Sequence, residues 1–278
     1  LEVKFLCPRW GFEHIDWHDF LARVKDAGYA GIEWFPQGGA ADLECVVPML
    51  KTYNLDYAIV MEVAQANQRG EPYIHLLARD LRDLLLISKD LKKPLFLSAQ
   101  VGREFFTAEQ IDACVAVCQQ IQEASGIAVY HETHRNKWNY AAHVTAPVLQ
   151  QHQQLELTLD ISHWYCVSES YLHDQADAVT LAIERTRHIH ARVGHTEGPQ
   201  VADPAFDEYQ EALQAHLRVW DQWIAHMKSL HKNYCTITPE FGPPPYLTLA
   251  GRQIDPMAEQ WRLNLWMKNL LQNRYNHE

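Results

Sequence analysis

Apolar residues along the chain gather into short compact runs that alternate with longer stretches of helical period. Val3–Cys7 is the first compact run, ended by Pro8. In Trp17–Ala27, Phe20, Leu21, Val24 and Ala27 share one helix face, with Asp16 placed to cap it and Gly28 to stop it. The rhythm then repeats. Strands are expected at Gly31–Phe35, Leu55–Met61, Pro94–Ala99, Ile127–His131, Leu155–Asp160, His188–Val193 and Tyr234–Thr238. Helices are expected at Leu43–Tyr53, Ile74–Leu91, Phe106–Ala124, Val144–His152, Ser170–Ile183, Phe206–Leu230 and Met257–Leu271. Strand–helix units of about 35 residues predict a parallel sheet with helical crossovers. Eight of them close into a single (β/α)8 TIM barrel over residues 1–278, which leaves no sheet edge exposed. The alternative is an open doubly wound sheet. Nothing resembling GxGxxG follows the first strand, so its dinucleotide-binding form lacks support.

Composition narrows the setting. The chain is 47% apolar and 21% charged, ordinary for a globular protein. No run of about 18 apolar residues predicts a membrane span, and the first residues lack the pattern of a signal peptide. Six cysteines are scattered without a CxxC pair. That usage fits reduced thiols, and a cytoplasmic location is expected. Cys114 and Cys118, one helical turn apart, read as a buried face. The net charge of −11 argues against a polyanion, so no nucleic-acid partner is expected. A homo-oligomer is compatible with this composition.

In a barrel of this kind the active site forms at the C-terminal ends of the strands. Here those ends are rich in carboxylates and imidazoles. The fifth strand runs into His131-Glu132-Thr133-His134-Arg135 and the sixth into Asp160-Ile161-Ser162-His163. The seventh carries His188-Ile189-His190-Ala191-Arg192, and the eighth ends Thr238-Pro239-Glu240. Glu132, Asp160, His190 and Glu240 are separated by 28, 30 and 50 residues, the spacing of successive barrel strands. Three oxygens and one nitrogen converging on a point would hold a divalent ion such as Mn, Co, Mg or Zn. The ion would also remove the repulsion among three close carboxylates. HExxH zinc-protease chemistry is excluded, because position 135 is Arg and a strand precedes the motif. His188 shares the inward face of His190 one layer deeper and reads as a packed or supporting histidine. His163 is placed to reach a substrate or the metal rim. Glu33, ending the second strand, is a candidate hydroxyl binder. Trp10, Trp34, Phe35, Trp138 and Trp164 sit just beyond strand ends and are candidate walls against a sugar. Arg9, Arg103, Arg135 and Arg192 are candidates for a phosphate or carboxylate, each with a structural ion pair as the competing role.

These residues resemble the xylose isomerase-like sugar isomerase/epimerase superfamily, the barrel group that also contains endonuclease IV. Asp26-Ala27-Gly28-Tyr29-Ala30-Gly31-Ile32-Glu33 carries the local signature of that group. The Asp160-x-x-His163 pair, the His-x-His of the seventh strand and the terminal Pro239-Glu240 also match. His131–Arg135 and Gly194–Gln200 resemble a branch described only as sugar phosphate isomerase/epimerase. The resemblance implies one divalent metal on Glu132, Asp160, His190 and Glu240. Glu132 and Glu240 would be acid and base in proton transfer through an enediolate. His163, with Glu33, Arg192, Trp10 and Trp164, would contact a small polyhydroxy carbonyl substrate. Ketose epimerases of the group place an arginine six residues after the seventh-strand histidine. Position 196 is Thr here and Arg192 is the nearest arginine, so the sugar and the reaction stay open. The competing readings are an endonuclease IV-like repair nuclease and a non-catalytic metal- or sugar-binding barrel. The nuclease needs more metal-binding histidines on the early strands than Glu33-Trp34-Phe35 and Met61-Glu62 provide.

Overall fold

Eight parallel strands pair in sequence order and close on themselves, β1 against β8. They are β1 (Glu2–Pro8), β2 (Gly31–Trp34), β3 (Asp56–Glu62), β4 (Leu97–Gln100), β5 (Val129–Glu132), β6 (Glu156–Leu159), β7 (Thr186–Ala191) and β8 (Tyr234–Pro239). The computed structural model of the chain describes residues 1–63, 72–86 and 91–276. Around the barrel lie α1 (Trp17–Asp26), α2 (Ala40–Tyr53), α3 (Tyr73–Leu85), α4 (Ala108–Ser125), α5 (Ala142–Gln151), α6 (Ile161–Ser168), α7 (Ala176–Arg185), α8 (Gln210–Ser229) and α9 (Pro256–Tyr275). The chain is thus the single (β/α)8 barrel that its periodicity predicts. Residues 87–90 of the helix expected over 74–91 lie outside the described residues.

The helices form where pattern and caps agree. Asp16 accepts from the His18 N–H at 2.8 Å at the start of α1, and Thr107 with Gln110 makes a capping box on α4. Their apolar faces bury Phe20, Leu21 and Val24 from α1, and Ile111, Val115 and Ile121 from α4, against the outside of the sheet. Each such side chain contributes about 1.5–3 kcal/mol on burial. Gly31 is needed where it stands: a Cβ there would lie 2.2 Å from the Asp56 carbonyl oxygen across the β2–β3 pairing.

One region differs from expectation. The sequence predicts a helix over Ser170–Ile183, but the chain turns into α6 directly after β6, makes a short 3-10 turn at His173–Gln175, and then forms α7. Asp160 starts α6 by accepting from the Ser162 N–H at 3.0 Å and its hydroxyl at 2.5 Å. Glu169 and Leu172, both at positive φ, break the helical path between α6 and α7.

Inside the barrel, polarity rises along the strands. Leu6, Ala58 and Phe96 form a small apolar floor, separate from the main core, with Tyr130 stacked on Phe96 at 4.9 Å. Above it the Ser98 hydroxyl donates to Thr158 at 2.9 Å, and His188 Nδ1 meets Thr236 Oγ1 at 2.7 Å. Charged groups occupy the next layer. The seam between the ends of the barrel is tied from outside. The Asn276 side chain accepts from the Val3 N–H at 2.9 Å and donates to its carbonyl at 3.0 Å, while Gln260 donates to the Trp10 carbonyl at 2.8 Å.

Candidate metal and active site

Alternation along β7 sets the geometry. His188, His190 and Arg192, two residues apart, point into the barrel in successive layers, and all are buried. His190 is the centre. Its Nε2 faces both Glu33 oxygens, at 3.0 and 3.1 Å. Its Nδ1 lies 3.2 Å from Glu240 Oε2 and 3.7 Å from Glu132 Oε1, without a well-formed hydrogen bond. Asp160, His190 and Glu240 each bring a ligand atom within 4.8 Å of the others. The four residues predicted to converge from β5, the end of β6, β7 and the end of β8 therefore share one neighbourhood.

The donor set fits a divalent ion. A buried imidazole nitrogen without a hydrogen-bond partner, ringed by carboxylates, is the arrangement a cation completes. Glu33 on Nε2 selects the tautomer that leaves Nδ1 free to ligate. Charges agree with this. Burial pushes the Glu132 carboxyl up to about 8, against the pull of His190 and reinforced by Glu240, Glu33 and Asp160. Burial also raises Asp160, against Arg192. His190 is buried too, yet Glu240, Glu33 and Glu132 overcome that and raise it well above the usual imidazole value. Glu33 goes the other way: despite burial, His190 and His188 hold it well below the usual carboxylate range. Too many carboxylates face too few cations, and an added positive charge relieves them.

A cleft of about 410 Å3 opens over this cluster at the C-terminal ends of the strands. Trp10, Trp34, Phe35 and Tyr246 line its apolar side, and Glu33, Glu62, Glu132, Arg192 and Glu240 its charged side. Trp10 is held in place by Gly242, where a Cβ would lie 2.2 Å from the indole. Gln200 fixes Gly242 by accepting from its N–H at 2.8 Å, so the loop after β7 braces the loop after β8.

Other predicted residues sit elsewhere. Trp164 is not on the cleft. It lies on the inner face of α6, fully buried, and its indole N–H donates to the Asn139 carbonyl at 2.8 Å. Trp138 is likewise buried and donates to His131 Nδ1 at 3.3 Å. His163 is fully buried between two guanidinium groups, Arg135 at 3.0 Å and Arg192 at 2.8 Å. Burial, then His134, Arg192 and Arg135, hold it well below the usual imidazole value. Glu33 lines the cleft, but both its oxygens are on His190. Arg192 is buried and pairs with Asp160. Arg103 pairs with Glu104 on the surface at 3.3 Å.

The sequence reading misses Gln100 and Ser98. Gln100 Nε2 donates to Glu132 Oε1 at 2.9 Å, and Ser98 Oγ lies 3.4 Å from Oε2, so β4 positions the β5 glutamate. Lys137 and Glu62 form a further ion pair at the cleft, with the lysine buried.

No family model matches the sequence, and no curated protein matches it. Solved structures do. The barrel superposes on the probable 3-DHS dehydratase AsbF, involved in petrobactin synthesis, from Bacillus anthracis. The TM-score is 0.63 at 17% identity, covering 99% of this chain and 100% of that one. A D-psicose 3-epimerase from Clostridium cellulolyticum H10, solved with D-tagatose, matches with a TM-score of 0.56 at 12% identity over 98% and 99% of the two chains. An AP endonuclease of family 2 from Brucella melitensis matches with a TM-score of 0.59 at 14% identity over 90% and 96%. This chain shares the (β/α)8 barrel fold of these structures and of a xylose isomerase domain-containing protein from Salmonella typhimurium. Among the described residues no helix is long and apolar enough to cross a membrane.

Proposed function

We propose that this chain is a divalent-metal-dependent isomerase or epimerase that moves a proton at the carbon next to a carbonyl of a small polyhydroxy compound. One observation carries the reading: two glutamates from different strands, Glu132 and Glu240, approach the same hydrogen-bond-free nitrogen of His190, at 3.7 and 3.2 Å. Glu132, Asp160, His190 and Glu240 would hold the ion, which when bound supplies a Lewis acid for the carbonyl and favours ionised carboxylates. Glu132, its oxygens fixed by Gln100 and Ser98, removes the carbon-bound proton. Glu240, across the cleft at the end of β8, returns a proton to the other face or the neighbouring carbon. Trp10, Trp34 and Tyr246 cover the apolar face of the substrate and limit water. Loss of a hydroxyl beside the same carbanion would give dehydration instead, and product analysis separates the outcomes.

The nuclease reading is weaker. The cleft is lined by Glu13, Glu33, Glu62, Glu132 and Glu240, and the chain carries −11, which disfavours a phosphate backbone. The deciding experiment is elemental analysis of the purified protein, followed by solvent-deuterium incorporation into a panel of ketoses and dehydro acids with Mn2+ present. Deuterium entering one class at a single carbon supports the reading. Stoichiometric metal with no exchange in any candidate favours the non-catalytic binder, and nicking of abasic duplex DNA favours the nuclease.

A further inference from the structure

Arg192 stands where the metal reading puts a cation. Its Nη2 is on Asp160 Oδ2, its Nη2 lies 3.7 Å from Glu240 Oε2, and its Nε lies 3.4 Å from Ser162 Oγ. Two features make this position poorly satisfied. Nη1 is buried without a partner, although Arg192 lines the cleft. The second feature is at His163. A neutral imidazole has one N–H and one lone pair, yet guanidinium donors face both its nitrogens, Arg135 at Nδ1 and Arg192 at Nε2. One of those contacts sets N–H against N–H. Moving Arg192 away from Nε2 removes the clash. A cation binding Asp160 and Glu240 would push the guanidinium off Asp160 by like-charge repulsion.

Resting on the metal reading above, we propose that Arg192 is a displaceable internal cation. It neutralises Asp160 and Glu240, gives up Asp160 when a divalent ion binds there, and then offers its guanidinium to an oxyanion on the substrate. Tyr246 provides the surface on which it moves: the Arg192 and Arg135 guanidinium carbons lie 4.9 and 5.1 Å from that ring. The substrate class narrows to polyhydroxy carbonyl compounds bearing a carboxylate or a phosphate ester, because a guanidinium fork pairs with either in two hydrogen bonds. Metal and oxyanion sites are then linked, each raising the affinity of the other by the same factor.

The test compares Mn2+ binding, by chelator competition, in the wild type and in Arg192→Met. Removing the competitor is expected to tighten Mn2+ tenfold or more; equal or weaker binding overturns the proposal. With Mn2+ saturating, acetate and methyl phosphate are then titrated into both proteins. At least one is expected to bind the wild type ten times more tightly than the variant, and which one does so separates a carboxylate from a phosphate substrate. Equal binding to both proteins refutes the oxyanion role. If Arg192→Met does not fold, the wild type decides: oxyanion affinity has to rise tenfold on adding Mn2+, and an unchanged affinity rejects the linkage. Failure of both proteins to bind Mn2+ at all instead overturns the metal reading, and this proposal with it.

Discussion

Replacing Glu33 by Gln separates two roles for that residue. Its place at the end of β2 suggests a substrate hydroxyl, whereas its contacts are with His190 Nε2, at 3.0 and 3.1 Å, and with His188 Nε2, at 3.6 Å. The substitution keeps shape and burial. The new amide oxygen can still accept from His190 Nε2, but both carboxylate positions lie within 3.1 Å of that nitrogen, so the NH2 group has to turn away from it towards His188 Nε2, 3.6 Å off. The change is isosteric and the fold is expected to survive. What is lost is the charge on a buried, charge-assisted hydrogen bond. Such bonds are roughly twice as strong as neutral ones, so about 1–1.5 kcal/mol disappears from the support of the imidazole. Losing the outer partner of a metal-binding histidine costs about 10–100-fold in metal affinity, or roughly 1.4–2.7 kcal/mol. Competition with a fluorescent chelator for Mn2+ measures this directly, and circular dichroism checks the fold. Metal affinity within twofold of the wild type, together with a raised KM, would refute the supporting role and restore Glu33 as a substrate contact.

Glu132→Gln is expected to lower proton exchange by about 10²–10⁴-fold, read as deuterium wash-in. Exchange at the wild-type rate rejects Glu132 as the acid/base. Stability without added metal is expected to depend on pH. Glu132 is pushed up to about 8 by burial from an unfolded value near 4.5, and His190 is raised as well. The stabilisation is therefore full below about pH 4.5 and is lost as pH rises towards 8, at no more than about 1.4 kcal/mol per pH unit per proton. Buried histidines held below the usual imidazole value, His131, His134, His163, His188 and His216, give the opposite slope below about pH 6.5. Urea midpoints between about pH 7 and 8 therefore measure the Glu132 slope; saturating Mn2+ should flatten it, and a flat profile in that window without metal contradicts the assignment. Trp164→Phe should destabilise by about 1–3 kcal/mol through the unpaired Asn139 carbonyl and the smaller ring while leaving KM unchanged. A selective change in KM would put the indole back on the substrate.

The barrel was legible because its strands, buried on both faces, read as compact apolar runs between amphipathic stretches. The placement of Asp160, His190 and Glu240 beside one another was legible too, since period-two alternation and strand spacing leave little freedom at strand ends. What stayed hidden has physical reasons. α6 follows β6 without a loop, and its eight residues, Ile161–Ser168, with Ser162, His163 and Ser168 scattered among apolar ones, are too few to show the periodic face that marks a helix. Its start signal, Asp160, has the double task of capping α6 and facing the cluster. Gln100 escaped notice because an amide adds nothing to a charge pattern, and because β4 runs one residue further than its apolar run implies. Trp164 was misplaced for the same reason as α6: counted in a loop, it seemed free to reach the rim, but on a helix it turns inward.

The seam between β1 and β8 bears on how the protein is made. Glu33 emerges from the ribosome 157 residues ahead of the histidine it supports, and Glu240 comes later still. Until Tyr234–Pro239 is translated, β1 has an unsatisfied edge and the cluster lacks its last carboxylate. A nascent chain stalled before that point would expose pairing-competent backbone, so assembly of the carboxylate–histidine cluster and barrel closure belong to the same late moment of synthesis.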